Sequence, residues 1–449
     1  MIVMKFGGTS VGSPERIRGL AARVREALGR RPLVVVSAFA GVTDELVRGA
    51  RLALERDAGA QDLAAAIRAR HLDAVRALVA PGPERERLLS EVEGIAEELR
   101  TLYTGVQLLG ELTPRSLDAV SGLGERLASA IAAQALADLG VPACLVDARA
   151  VIVTDDGFGR ALPLVAEIRE RARAALLPLL QDGRVPVLGG FIAATATGVP
   201  TTLGRGGSDW SAALLGAALD AEEIQIWTDV DGMLTVDPRV VAGARTIPRV
   251  SFQEAAELAY FGAKVLHPAT IKPAVERGIP VRVLNSLSPG GEGTRITADA
   301  PWSGPRAIAF KGGITVVLIS QPRMLMAHGF VARVFEVFDR QRTAVDLIAT
   351  SEVSISLTVD DPQRLPAIEA ELAALGEVQV LRDMAIVSVV GQGFVRQPGL
   401  AARIFQALRD VNLVMISFGA SDVNVSFVVA EAEARQAVRQ LHAALFEEG

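Results

Sequence analysis

An ungapped internal repeat constrains the last third of this chain. Shifted by 70 positions, Gly329, Ala332, Arg333, Phe335, Ser351, Val353, Ser356 and Val359 fall on the same residue types at Gly399, Ala402, Arg403, Phe405, Ser421, Val423, Ser426 and Val429. Both copies read as strand, helix, strand, turn, strand, helix. In the first copy these segments are residues 314–320, 330–341, 345–349, 353–359 and 362–375. The pattern predicts a duplicated ferredoxin-like βαββαβ module. It brings no carboxylate pair and no cysteine or histidine cluster, so it reads as binding and regulation and not as a second active site.

The whole chain of 449 residues is too long for one core, and about two or three domains are expected. Gly, Pro and Ser concentrate at 288–293 and 302–305, which marks a boundary ahead of the repeat. Before that boundary, apolar β-runs at 33–37, 141–146, 150–154, 185–189 and 223–227 alternate with helical segments at 15–28, 162–180 and 212–219. Several helices fill 45–139, interrupted at 81–83 and near 113–114. This is an α/β pattern, and ligands in such sheets collect beyond the carboxyl ends of strands.

The net charge of -6, from 46 Lys and Arg against 52 Asp and Glu, gives no reason to expect nucleic acid or an anionic membrane as partner. Cys144 is the only cysteine, which excludes an intrachain disulfide and a cysteine-built metal site and fits a reducing cytoplasm. No basic segment precedes a long apolar run and no stretch reaches membrane-spanning length, so a cytoplasmic location is expected.

The first eleven residues after Met1 read as a strand, Ile2 to Phe6, running into a turn at Gly7-Gly8. Paired glycines let backbone approach an anion, and Thr9 and Ser10 add hydroxyls able to cap the helix beginning at Pro14. Lys5 precedes the glycines, unlike the lysine of a Walker A loop, so a kinase built here is not a P-loop kinase. A plain tight turn is the other reading. Ser37 and Thr43 follow the second β-run and are either ligand contacts or turn and cap residues. Glu125 stands in the first turn of an Ala-rich helix after Gly122 and Gly124, where it favours the helix dipole or faces a ligand amine. The densest motif is Thr201-Thr-Leu-Gly-Arg205-Gly-Gly-Ser-Asp209, an arginine between glycines with Ser208 and Asp209 opening a helix: an anion-binding turn with a fixed cation. Asp231-Gly232 signals a turn, Arg239 is placed to reach a phosphate, and Lys264 follows Gly262 as Lys5 neighbours Gly7. His267 has no neighbouring ligand and reads as structural.

Taken in order, Lys5-Phe-Gly-Gly-Thr-Ser10, Gly204-Arg-Gly-Gly-Ser-Asp209, Trp227-Thr-Asp-Val230, Asp237-Pro-Arg239 and Phe261-Gly-Ala-Lys-Val-Leu-His-Pro268 resemble the aspartokinases of the amino-acid kinase family, across essentially the whole chain. The C-terminal pair is similar to their two ACT domains. The resemblance implies a three-layer αβα amino-acid-kinase domain at 1–295, a linker and first regulatory strand at 296–312, and ACT domains at 313–383 and 384–449. It implies transfer of the γ-phosphate of ATP to the β-carboxylate of L-aspartate, with Lys5 and Lys264 neutralising the phosphoryl group and Asp209 holding these lysines. Arg205 would take a substrate carboxylate and Glu125 the α-ammonium, with Ser37, Thr43, Gly206, Gly207 and Ser208 around the amino acid. The nucleotide would meet Lys5, Phe6, Gly7, Gly8, Thr228, Asp229, Arg239, Lys264 and Val265, and Leu234 stands where many relatives carry an aromatic ring, so adenine would pack on an aliphatic chain. Mg²⁺ would arrive held by ATP phosphates and waters, with no metal-ligating cluster in the chain. The implied inhibitor is L-lysine, at Met324, Phe330, Val331, Val345, Asp346, Ser351 and Glu352 of the first repeat. The second repeat has Ile416 in place of Asp346 and Asp422 in place of Glu352, which suits packing or a homodimer or higher homo-oligomer formed through these modules. A kinase for glutamate or acetylglutamate would share the glycine turns without the paired modules, and a non-catalytic amino-acid sensor could dispense with Lys5 and Asp209.

Overall fold

The computed structural model describes residues 1–262, 266, 268–288, 290–321 and 328–447. The chain divides into two units: Met1–Met233, Pro248–Phe252 and Val265–Asp299 form the first, and Leu234–Ile247, Gln253–Lys264 and Ala300–Gly449 the second.

The first unit starts with β1 (Ile2–Phe6), a single helical turn α1 (Gly8–Val11), α2 (Pro14–Glu26) and β2 (Pro32–Val36). Five helices follow: α3 (Val42–Leu54), α4 (Gly59–Leu78), α5 (Pro83–Leu109), α6 (Pro114–Ser121) and α7 (Leu123–Asp138). Then come β3 (Ala143–Leu145), β4 (Val153–Thr154), α8 (Val165–Gln181), β5 (Val185–Gly189), β6 (Ile192–Thr195), β7 (Pro200–Thr202), α9 (Gly207–Ala218) and β8 (Glu223–Thr228). Later pieces are β9 (Arg249–Ser251), α10 (Phe252–Tyr260), of which only Phe252 belongs here, α11 (Lys272–Glu276), β10 (Val281–Asn285) and β11 (Thr294–Thr297).

Eight strands form one sheet in the order β3-β5-β2-β1-β8-β10-β11-β9, parallel except for the β10–β11 pair; β4, β6 and β7 form a separate small sheet. β1 and β2 are buried along their whole length, as strands covered on both faces must be. Ile2, Met4 and Phe6 enter the core made with α2 to α7, while Val3 on the opposite face lies beneath Gly216 of α9. Helices therefore cover both faces. β1 takes β2 on one side and β8 on the other, so the strand order reverses there, and the crevice at such a reversal is where ligands bind in open α/β sheets.

One local expectation is corrected. Thr9 and Ser10 do not cap the helix starting at Pro14; Ser13 does, its Oγ accepting from the Arg16 N–H at 3.4 Å. Residues 8–11 have already wound into a turn of their own, and the Ser10 hydroxyl is spent on the Trp227 carbonyl at 3.3 Å and on Ser286 Oγ at 2.7 Å.

In the second unit β12 (Gly304–Ser320), α12 (Phe330–Arg340), β13 (Ile348–Thr350), β14 (Ser354–Val359), α13 (Leu365–Leu372), β15 (Glu377–Gln392), α14 (Leu400–Ala407), β16 (Met415–Phe418), β17 (Asn424–Ala430) and α15 (Glu431–His442) form both repeats around one antiparallel sheet, ordered β13-β14-β12-β15-β17-β16. The sequence suggests two modules in tandem, whereas the long strands are shared. Residues 315–320 pair with β14 and with 377–381, completing the first repeat; residues 304–311 pair with 386–392, giving the second repeat an edge that precedes the first repeat in the chain. β12 keeps β15 as neighbour throughout, and the passage from one repeat to the other falls at a bulge, where the register shifts between Lys311 and Ile314 and Gly313 takes φ +71.

Candidate active site

A cleft of about 560 Å³ opens beyond the carboxyl ends of β1 and β2. Its floor is an ion pair. Lys5 Nζ lies 2.6 Å from Asp209 Oδ1, and both side chains are largely out of solvent, 11% and 14% exposed. Strand pairing fixes the lysine, whose residue sits between Val35 of β2 and Ile226 of β8. Helix geometry fixes the aspartate, in the first turn of α9 beside that helix's free N–H groups. The turn before α9 needs its glycines: Gly204 and Gly206 both have φ +71, a conformation that places exposed Arg205 at the tip while Gly207 N–H bonds back to the Gly204 carbonyl at 2.9 Å.

Glu125 forms another wall. It is 3% exposed, its Oε1 accepts the Ala38 N–H at 3.2 Å, and its Oε2 is buried without a hydrogen bond. Burial pushes this carboxyl up to about 8, opposed by the Ala38 N–H and by the charge of Lys5. The sequence leaves a dipole role and a ligand amine open for it, but a carboxylate serving only a helix dipole has no need of burial in a cleft wall. Its unused oxygen is suited to a cationic ligand.

The cleft gathers Lys5, Gly8, Ser37, Thr43, Glu125, Arg205, Gly206, Gly207, Ser208 and Asp209 from the sequence-derived set. It does not gather the rest. Phe6 is fully buried with its ring stacked on Trp227 at 5.8 Å, and the Gly7 N–H is bonded to the Trp227 carbonyl at 3.0 Å. Thr228 and Asp229 lie at the end of β8, bonded to each other at 3.2 Å, and the neighbouring Asp231 accepts from Asn285 at 2.7 Å. Leu234 and Arg239 belong to the second unit, where Arg239 is 85% exposed and paired with Asp237 at 2.7 Å. Lys264, Val265, His267 and Met324 lie outside the described residues. Also in the second unit, Val331, Ser351 and Glu352 are exposed, Val345 is partly buried, and the Phe330 ring packs in the core with Val334 and Ile355. Asp346 is buried, and Asp422 accepts the Val395 N–H at 3.1 Å.

Two wall residues carry no signal in the sequence. Asp118 of α6 is 3% exposed and accepts three hydrogen bonds: from Gly159 N–H at 2.9 Å, Thr202 N–H at 3.3 Å and Thr202 Oγ1 at 2.7 Å. It thereby ties the 155–162 loop to the strand that leads into the Arg205 turn. Phe191 stands at φ +63, a strained setting for a bulky residue of order 1–3 kcal/mol, held by its N–H on Ser211 Oγ at 2.9 Å. Neither is foreshadowed by spacing, because Asp118 matters through partners 41 and 84 residues away.

Comparison with known proteins shows the family. Residues 1–285 match the model of the amino acid kinase family and residues 387–445 that of the ACT domain. The lysine-sensitive aspartokinase 3 of Escherichia coli is 39% identical over 463 residues, covering all of this chain and 99% of that protein; aspartokinase 1 of Arabidopsis thaliana is also 39% identical, covering all of this chain and 80% of its own length. Among solved structures, E. coli aspartokinase III with aspartate and ADP (R-state) superposes at a TM-score of 0.84 with 38% identity, and the same enzyme with lysine and aspartate (T-state) at 0.82 with 38% identity; each spans 99% of this chain, with 100% and 99% of those chains covered.

The raised Glu125 carboxyl has a consequence for stability. The native state keeps its proton up to about 8, while an unfolded chain releases it near 4.5, so this residue costs nothing below pH 4.5 and increasingly destabilises the fold as pH rises from there towards 8. Glu125→Gln is expected to raise Tm by several degrees at pH 8 and to leave it unchanged at pH 4, measured by calorimetry across that range. Equal shifts at both pH values would assign the carboxyl an ordinary acidity.

Proposed function

The chain belongs to the aspartokinases of the amino acid kinase family, and from that premise we propose how its cleft transfers the γ-phosphoryl group of ATP to the β-carboxylate of L-aspartate, giving 4-phospho-L-aspartate. The observation that carries the reading is the convergence of the Lys5–Asp209 pair, Glu125 and Arg205 on one cleft. Arg205 takes the α-carboxylate of aspartate, Glu125, which gives up its proton as the cation arrives, takes the α-ammonium on its free oxygen, and Ser37 and Thr43 line the remainder. The amino acid is thus held at its backbone end, with the β-carboxylate free to reach the phosphoryl group. That carboxylate is ionised at neutral pH, so no general base is needed. Phosphoryl transfer then depends on positioning and on cations that meet the charge spread over the phosphoryl oxygens. Lys5 supplies one such cation, aimed by Asp209; Lys264 is the proposed second.

Thr228, Asp229, Leu234, Arg239 and Val265 are proposed for the nucleotide, with Gly7 and Gly8 near its phosphates. Mg²⁺ held by those phosphates would add charge neutralisation. No helix among the described residues is long and apolar enough to cross a membrane. Exposed Ile348 on β13 and Ile416 and Phe418 on β16 support assembly into homo-oligomers through the edge strands of the repeats.

The test is ADP release over a panel of amino acids with MgATP, the product being trapped as a hydroxamate. L-aspartate is expected to be the one amino acid that drives turnover. Turnover with glutamate or acetylglutamate and none with aspartate would overturn the reading.

Feedback inhibition by L-lysine at the first repeat is the regulatory part of the proposal. It is supported by the lysine sensitivity in the name of the E. coli relative and by that enzyme's structure with lysine. Gly329 N-caps α12, whose free N–H groups suit an α-carboxylate, and Asp346 and Glu352 suit the amines. Glu352→Ala is expected to raise the half-inhibitory lysine concentration at least about tenfold, the equivalent of about 1.4 kcal/mol. Inhibition by threonine with indifference to lysine would contradict the effector assignment.

A further inference from the structure

Four segments of the second unit converge on Asp346: the C-terminal end of α10, the bulge of β12, the strand entry before β13 and the end of β14. The Asp346 side chain is only 2% exposed. One of its oxygens, Oδ1, accepts the Tyr260 phenol, and the other, Oδ2, is buried with no hydrogen bond. Lys311, the last residue before the Gly312-Gly313 bulge, brings its ammonium to 3.8 Å from Asp346 Oδ1 and 2.8 Å from Asp360 Oδ2, and the same nitrogen stands 4.9 Å from the centre of the Tyr260 ring. A buried carboxylate with an unused oxygen, a second carboxylate and an aromatic face are the parts of a site for a primary ammonium. The chain fills that site with its own lysine.

We infer that Lys311 is a resident competitor for the ammonium group of the effector, and so sets the concentration at which an amino acid with a side-chain ammonium engages Asp346. The inference rests on the effector reading proposed above and adds to it the residue that tunes affinity. Two ammonium groups cannot share one buried carboxylate without repulsion, so an arriving ligand has to push the Lys311 ammonium away from Asp346 and leave it on Asp360 alone, to which it already donates at 2.8 Å and which at 43% exposed is the partner in contact with water. Burial raises the Asp346 carboxyl, which marks it as short of cationic stabilisation even with Lys311 in place.

Two substitutions act in opposite directions. Lys311→Met keeps the aliphatic stem and removes the charge, so L-lysine should bind at least about tenfold tighter. Asp360→Asn removes the charge that holds the Lys311 ammonium at 2.8 Å and gives it a place away from Asp346, so L-lysine should bind at least about tenfold more weakly, each factor being about 1.4 kcal/mol. The measurement is isothermal titration of L-lysine into the full-length protein and into each variant. Tighter binding by Lys311→Met together with weaker binding by Asp360→Asn supports competition. If the unaltered protein binds lysine but Lys311→Met binds it equally or more weakly, competition is wrong while the effector reading stands. If the unaltered protein binds threonine and not lysine, the effector reading and this inference fall together.

Discussion

The Lys5–Asp209 ion pair is the contact on which the catalytic unit depends. Two opposite charges with little access to water are tolerable only when each is held against the other, and removing one would leave the second buried and uncompensated. The surrounding structure meets that requirement from two directions. An apolar β1 between two parallel neighbours leaves its lysine no freedom of register, because a one-residue slip would turn Lys5 into the core and Met4 towards the cleft. The turn at Gly204–Gly206 sets where α9 begins, and therefore where Asp209 points.

Other features of the cleft follow from the same economy of space. Glu125 sits in a helix that is alanine-rich and almost wholly buried, and Ser129 one turn on spends its hydroxyl on the Arg126 carbonyl at 3.2 Å, so the Glu125 carboxyl stays free for the cleft. Asp118 gathers three donors, the Gly159 N–H of a loop and the N–H and hydroxyl of Thr202 at the end of β7, and so ties both segments to the cleft wall. His71 lies beneath Phe39, stacked at 4.6 Å, and burial lowers its pKa to about 4, so the ring backing this wall is neutral.

Residues whose chemistry is local were legible in the sequence. Lys5 before paired glycines, Arg205 between glycines and Asp209 opening a helix announce themselves through backbone requirements that operate within a few residues. The repeat was legible for a related reason, since matching patterns of strands and helices must bury matching faces. What escaped depends on long-range partners. Asp118 looks like an ordinary helical aspartate until Thr202 and Gly159 fold against it. The sharing of β12 and β15 between both repeats was hidden because Lys311-Gly-Gly313 and Arg382-Asp383 interrupt the apolar pattern and read as breaks, whereas the structure carries both strands through at a bulge. Asp346 showed its charge in the sequence, but not that Lys311 and Tyr260 already occupy it.

The central claim is that Lys5 and Asp209 act as one device, the carboxylate serving to aim the ammonium at the transferring phosphoryl group. A double-mutant cycle on kcat with Lys5→Met, Asp209→Asn and the combined variant tests it most directly. Each single change is expected to lower kcat by roughly 10² or more, the scale of losing one preorganised charge from an active site, and the combined variant to be no slower than the worse of the two. Losses that multiply in the combined variant would mean that the two residues contribute independently and that Asp209 does not work through Lys5.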